Sequence, residues 1–220
     1  MDLDRPPQVN EKAEAIIFDI GRVIVGLDPQ RALTHLGAAA GGGRDARQLW
    51  CAVESDPRWN DWQEGRMGSR EWHAHLTRAL NVTIGYADFC AAWNSILLPE
   101  PILNENLFRQ LSERYRLAVL SNTDPLHSAV LDSEFSFLRH FPVRIYSCRV
   151  GVSKPSPAIF RAALDALGVT AASAIYIDDI EGFVGAANAL GLDAIRFESP
   201  AQLASEFSRR GLRLDGAGGA

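Results

Sequence analysis

Four short stretches of the chain end in side chains that can do chemistry together. Asp19 closes the apolar run Ala15 to Phe18, Ser121 and Asn122 close LAVLSN, Lys154 stands in GVSKPSP ahead of a helix signal, and Asp178 and Asp179 close AIYIDD. A single Asp after a strand is ordinarily a turn or capping residue. Three carboxylates in one crevice are different, because they stay ionised together only around a positive charge. Oxygen ligands from Asp19, Asp178 and Asp179, completed by a backbone carbonyl and water, suit a hard octahedral cation such as Mg²⁺. With that charge in place Asp19 can attack phosphorus and form an aspartyl-phosphate. Lys154 then adds a second positive charge, and the Ser121 hydroxyl and the Asn122 backbone N–H are donors for phosphate oxygens. The set spells phosphoryl transfer on a small phosphorylated substrate.

Such convergence requires a sheet whose strands all end on one edge. Ala15 to Phe18, Leu117 to Leu120, Ile145 to Ser147, Ala174 to Ile177 and Ala194 to Phe197 read as short buried strands. Helix signals lie between the later ones, at Asn104 to Tyr115, Pro157 to Leu167 (closed by Gly168), Gly182 to Leu190 (closed by Gly191) and from Pro200. This alternation predicts an α/β fold, a Rossmann-like parallel sheet with helices on both faces, in which ligands bind beyond the carboxyl ends of the strands. Between the first strand and the rest, residues 29–101 read as helical. Helices are expected at Arg44 to Glu54, at Ser69 to Leu80 with Ser69 as N-cap, and at Tyr86 to Leu97, with a glycine-rich break GAAAGGGR before them. The organisation expected is a flexible start (1–12), an α/β core from 13–28 and 102–213, a helical insertion at 29–101 and a flexible tail (214–220). All five tryptophans fall in the insertion. They are expected to form its core, with one or two turned toward the catalytic strand; Trp59 and Trp62, with Asn60, Asp61 and Glu64, are the predicted site-facing group.

A net charge of -5 over 220 residues, without any Lys/Arg run, argues against nucleic acid or an anionic membrane as partner. Three scattered cysteines form neither a disulfide framework nor a zinc spacing. The polar start has no apolar signal region, and no stretch reaches the roughly 20 residues of a membrane span. A cytoplasmic location is the expectation.

FDIG, LSNTD, the lysine of SKPSPAIF and IYIDD resemble, in order, the four motifs of the haloacid dehalogenase (HAD) superfamily. FDIGRVIVGLD, WNDWQEGRMGSREW, SNTDPLH and SKPSPAIF are further similar to bacterial sugar-phosphate phosphatases of the α-D-glucose-1-phosphate phosphatase type. The resemblance implies Asp19 as nucleophile and metal ligand, the Gly21 carbonyl as main-chain ligand, Ser121 as phosphate donor and Lys154 as the third-motif lysine. It implies Asp179 as a direct metal ligand and Asp178 as one acting through water, and it makes the insertion a cap over the crevice. The implied activity is Mg²⁺-dependent hydrolysis of a phosphorylated metabolite such as a sugar phosphate.

Two positions depart from the pattern. Gly21 stands where most phosphatases of the superfamily carry a second Asp that transfers protons, a function typically worth about 10² to 10⁴ in rate. Asp28, Asp124 and His127 are the candidates to take over. Phe183 stands where a polar residue often supports the acidic pair. The alternatives are a phospholigand-binding regulatory protein that turns over poorly because of Gly21, and a haloacid dehalogenase, which works without the metal that the paired carboxylates call for.

Overall fold

The computed structural model describes residues 13–39 and 46–212. The expected flexible ends and most of the glycine-rich break lie outside these residues. Strand β1, Ala15–Phe18, is completely buried. Its side chains alternate between two cores: Ile16 and Phe18 face one, Ala15 and Ile17 the other. Being buried on both faces, it reads as a continuous apolar run rather than an alternating one.

β1 pairs in parallel with β4, Arg116–Ser121, and with β6, Ala174–Asp178; Ile17 sits opposite Ala118 and Tyr176. Outside these lie β5, Val143–Tyr146, and β7, Asp193–Arg196, so the sheet order is β5-β4-β1-β6-β7. The chain moves to one side of β1 for β4 and β5, and to the other for β6 and β7. This reversal makes the end of β1 the switch point, where a crevice opens between diverging connections. Asp19 is the next residue.

Both faces are covered. Helices α6 (Glu105–Ser112) and α11 (Pro200–Arg209) bring Phe108, Leu111, Leu203 and Phe207 against one, and α9 (Pro157–Leu167) and α10 (Glu181–Ala189) bring Ile159, Phe160, Ala163 and Ala187 against the other. Pro157 and Pro200 occupy the first turns, where a missing N–H costs nothing. The expected α/β architecture is present.

The insertion differs from its all-helical reading. It contains α1 (Pro29–Ala39), α2 (Ala46–Glu54), α3 (Trp59–Gln63), α4 (Ser69–Leu80) and α5 (Tyr86–Asn94), but residues Leu97–Pro101 form strand β3. β3 runs antiparallel to β2, Val25–Leu27. Pro99 and Pro101 remove the donors a helix would need, and proline is tolerated in such a ribbon because one edge stays unpaired. Ser69 is the first residue of α4 rather than its cap; Gly68, in extended conformation, takes the cap position. The expected strand at Ile145 to Ser147 starts two residues earlier, and Ser147 begins the short helix α8, Ser147–Val150. Helix α7, Pro125–Glu134, absent from the sequence reading, is capped by Asp124, which accepts from the Leu126 and His127 backbones.

Trp62, Trp72 and Trp93 form the core of the insertion, Trp62 stacked on Trp72 at 5.7 Å between ring centroids. No helix among the described residues is long and apolar enough to cross a membrane.

Candidate active site

Asp19 is fixed by its place at the end of the central strand, where its backbone N–H still bonds to the Ile177 carbonyl at 2.8 Å. Lys154 reaches it from the loop between α8 and α9. That loop is clamped by Asn122, whose side-chain amide accepts from the Lys154 N–H at 2.8 Å and donates to the Lys154 carbonyl at 3.0 Å. The Lys154–Pro155 peptide is cis. The lysine ammonium is buried and bonds to Asp19 Oδ1 at 2.8 Å and Asp178 Oδ2 at 2.7 Å. Asp178 is fully buried; Oδ1 accepts from the Ile180 N–H at 2.8 Å, and Oδ2 also accepts the Tyr176 hydroxyl. Asp179, half-buried, turns to the cavity, where Arg22 approaches it at 4.0 Å.

Electrostatics follow from this crowding. Burial pushes Asp19 up to about 7, Lys154 pulling against the shift and Asp178 adding to it. Burial alone would lower the Lys154 ammonium, but Asp19 and Asp178 hold it above its ordinary value. Burial, then Asp178, raises Asp179. Phe183 is no gap in the support: its ring lies 4.9 Å from the Lys154 nitrogen, a cation–π contact on an ammonium withdrawn from water.

Two positive neighbours do not neutralise three carboxylates, and oxygens of Asp19, Asp178 and Asp179 lie within 4.8 Å of one another. The Gly21 carbonyl accepts no backbone hydrogen bond from the described residues. An all-oxygen donor set carrying excess negative charge fits Mg²⁺.

Asp19, Gly21, Ser121, Asn122, Lys154 and Asp179 line one cavity of about 250 Å³, and Asp178 stands behind them. Its other wall comes from the insertion: Trp50 and Glu54 on α2, with Trp59 and Gln63 on α3. Of the predicted site-facing group only Trp59 lines the cavity, and Asn60 does not. Trp62 is buried in the insertion core and Asp61 and Glu64 pair with Arg66. On α3 a step of one residue rotates the side chain by about 100°, enough to exchange Trp62 for Gln63.

None of the three candidates for proton transfer is open. Asp28 caps α1 through the Gln30 N–H at 3.1 Å and does not line the cavity. Asp124 and His127 line it but are committed to each other: His127 Nδ1 lies 2.9 Å from Asp124 Oδ2, which also accepts the Trp93 indole N–H at 3.0 Å. His127 Nε2 lies 2.9 Å from the Trp93 carbonyl, so both ring nitrogens face acceptors. Burial opposes both charges, yet Asp124 holds the imidazole above its usual value and His127 holds the carboxylate below its own. The cluster ties α5 to α7.

Sequence reasoning missed Tyr176, Arg22, Glu54 and Ser147. Ser147 Oγ accepts from the Thr123 N–H at 2.9 Å and donates to the Gln63 carbonyl at 2.6 Å, joining the insertion to the end of β4. Only Tyr176, one step from the acidic pair in AIYIDD, had a local signal.

An aspartate at the end of the central strand, a lysine shared by two carboxylates and a third carboxylate at a switch-point cavity define a hydrolase-type α/β site. A sequence model of the haloacid dehalogenase-like hydrolases matches residues 13–191, and the chain belongs to that family. It is 26% identical to Phosphatase MT3486 of Mycobacterium tuberculosis, over 93% of this chain and 98% of that protein. It is also 29% identical over 111 residues to acyl-CoA dehydrogenase family member 10 of mouse, of which it spans only 10%. A HAD family enzyme of Bacteroides thetaiotaomicron has the same fold, with a TM-score of 0.78 at 22% identity, covering 90% of this chain and 99% of that one. That enzyme has also been crystallised with magnesium and inorganic phosphate (TM-score 0.75, 22% identity, 86% and 96% coverage). A HAD-like hydrolase of Porphyromonas gingivalis aligns with a TM-score of 0.72 at 25% identity over 90% and 97%.

Proposed function

We propose that the protein is an Mg²⁺-dependent phosphatase of a small phosphorylated metabolite, a sugar phosphate, acting through an aspartyl-phosphate on Asp19. The observation that carries the reading is the placement of Asp19 at a cavity edge, beside a buried ammonium and two further carboxylates. Similarity to a mycobacterial phosphatase along nearly its whole length, and the magnesium and phosphate bound by a protein of the same fold, support it.

Asp19, Asp178 and Asp179, with the Gly21 carbonyl, would hold the cation. When bound, Mg²⁺ supplies positive charge that offsets the repulsion between phosphate and the carboxylates. The Asp19 carboxylate attacks phosphorus, and the bond from phosphorus to the leaving oxygen breaks. Lys154 steadies the charge on Asp19 and the transferring oxygens, while Ser121 and the Asn122 N–H donate to the phosphoryl group. Water then attacks the same phosphorus, releasing phosphate and restoring Asp19. Trp50 and Trp59 offer apolar faces, and Glu54 and Gln63 polar groups, to the remainder of the substrate, a combination suited to a hydroxylated ring.

The test is phosphate release from hexose 1-phosphates, hexose 6-phosphates and nucleotides, with and without Mg²⁺, and with Asp19→Asn as control. Release that needs Mg²⁺, prefers sugar phosphates and vanishes in Asp19→Asn is expected. Halide release from 2-chloropropionate without metal would replace this reading with a dehalogenase. Saturable binding of phosphorylated ligands without turnover would replace it with the regulatory reading, which Gly21 favours.

A further inference from the structure

A phosphate ester of a sugar hydroxyl leaves a strongly basic alkoxide, so its cleavage needs a proton at the leaving oxygen, and the following attack by water needs an acceptor. The titratable groups around the cavity can be taken in turn. Asp19 is the nucleophile of the proposed reaction. Lys154 donates to two carboxylates and is held as an ammonium. Asp179 belongs to the cation's oxygen set. The Arg22 guanidinium does not give up protons. Asp124 and His127 are bonded to each other and to Trp93 through every nitrogen and oxygen that could serve.

Glu54 remains. It is exposed to the cavity and has no hydrogen bond or ion pair with the described residues. It lies four residues after Trp50, so the two share one face of α2, the face that closes the cavity opposite the core.

We infer that Glu54 is the proton donor and acceptor of the reaction at Asp19, a catalytic residue supplied by the insertion. The inference rests on the phosphatase reading. As Asp19 attacks, the bond from phosphorus to the leaving oxygen breaks and the Glu54 carboxyl proton passes to that oxygen, releasing the alcohol. The resulting Glu54 carboxylate takes a proton from the water that attacks phosphorus. The bond from phosphorus to the Asp19 oxygen then breaks, and phosphate leaves with Glu54 protonated for the next cycle.

The geometry also provides a rescue. Gly21 lines the cavity with an ordinary φ, and a Cβ there meets only the Leu27 side chain, its tip at 3.0 Å. A carboxylate can therefore be introduced at 21 with a small movement of a flexible side chain.

The experiment compares the full chain, Glu54→Gln and Glu54→Gln/Gly21→Asp on glucose 6-phosphate and p-nitrophenyl phosphate with Mg²⁺. p-Nitrophenolate departs without protonation, so it reports nucleophilic attack apart from proton donation. Glu54→Gln is expected to lower kcat/KM on glucose 6-phosphate about a hundredfold or more, and on p-nitrophenyl phosphate at least tenfold less steeply. Gly21→Asp in that background is expected to return at least about tenfold of the sugar phosphate rate. Equal losses on both substrates, or no loss on either, would overturn the assignment. Failure of the unaltered protein to release phosphate from either substrate would strike the phosphatase reading itself and remove the assignment with it.

Discussion

Gly65 follows α3 with φ of +68°, and a Cβ at that position would lie 2.1 Å from the Cys148 carbonyl oxygen on α8. Ordinary carbon–oxygen contacts begin near 3.3 Å, so Gly65→Ala must part the two backbones by about 1.2 Å. Neither side can yield by a rotamer change. The same movement stretches the 2.6 Å bond from Ser147 to the Gln63 carbonyl, worth about 1 kcal/mol. The left-handed conformation alone costs alanine about 1–2 kcal/mol. Together with the displaced contact, a loss of about 3–5 kcal/mol is expected. Gly151 provides the control: its φ is +74°, it caps α8 three residues beyond Cys148, and a Cβ there meets nothing within 4 Å. Gly151→Ala should lose only the conformational part, about 1–2 kcal/mol. Urea unfolding of both variants separates clash from conformation, with midpoints differing by about 1 M for a slope near 2 kcal/mol per molar. Because Gln63 lines the cavity, Gly65→Ala should also raise KM. Equal midpoints for the two variants would refute the close approach of α3 to α8.

Lys154→Met removes the ammonium between Asp19 and Asp178 and should cost about 3–5 kcal/mol at neutral pH. Asp19 is already raised above its unfolded value, so the folded state holds the extra proton and stability falls as pH climbs from about 4 through about 7. The variant should steepen that fall, read as urea midpoints at pH 5 and pH 8; parallel losses at both would count against it. His127, raised by Asp124, contributes stability in full below its unfolded value near 6.5, and that contribution fades as pH rises through its higher folded value. His127→Gln should lose this dependence in thermal melts between pH 6 and 9. Trp62→Phe deletes a buried indole N–H that has no hydrogen-bond partner among the described residues, but it leaves a gap beside Trp72 and should cost about 1–2 kcal/mol with kinetics unchanged, whereas Trp59→Ala should raise KM.

The chemistry was legible where it is local. Asp19, Lys154 and the Asp178/Asp179 pair each sit at the end of an apolar run or ahead of a helix, and parallel strands bring such ends to one edge. Asn122 was readable as a strand-end residue, but its side-chain clamp on Lys154 joins loops 32 residues apart and has no signature along the chain. Helical periodicity found α4 and α5 but carried α5 through Leu97, because the pairing of β3 with β2 depends on a partner some 70 residues earlier. Asp124 and His127 looked available as proton carriers, since nothing in SNTDPLH reveals that Trp93 occupies both. Glu54 is the converse case: an ordinary glutamate in sequence, made notable by the wall on which it stands.

The β2–β3 ribbon has a consequence beyond local shape. Asp28 N–H bonds to the Ile96 carbonyl at 2.8 Å, and Ile102 N–H to the Ile24 carbonyl at 2.7 Å, so the chain leaves the sheet and rejoins it at one point. The described residues from 29 to 95 leave and return at that crossing, and none of them adds a strand to the five-stranded sheet. Such an excursion can be lengthened, trimmed or exchanged for another without moving Asp19. The cavity wall that carries Trp50, Glu54, Trp59 and Gln63 is then an interchangeable part, while Asp19, Asp178 and Asp179 stay with the sheet.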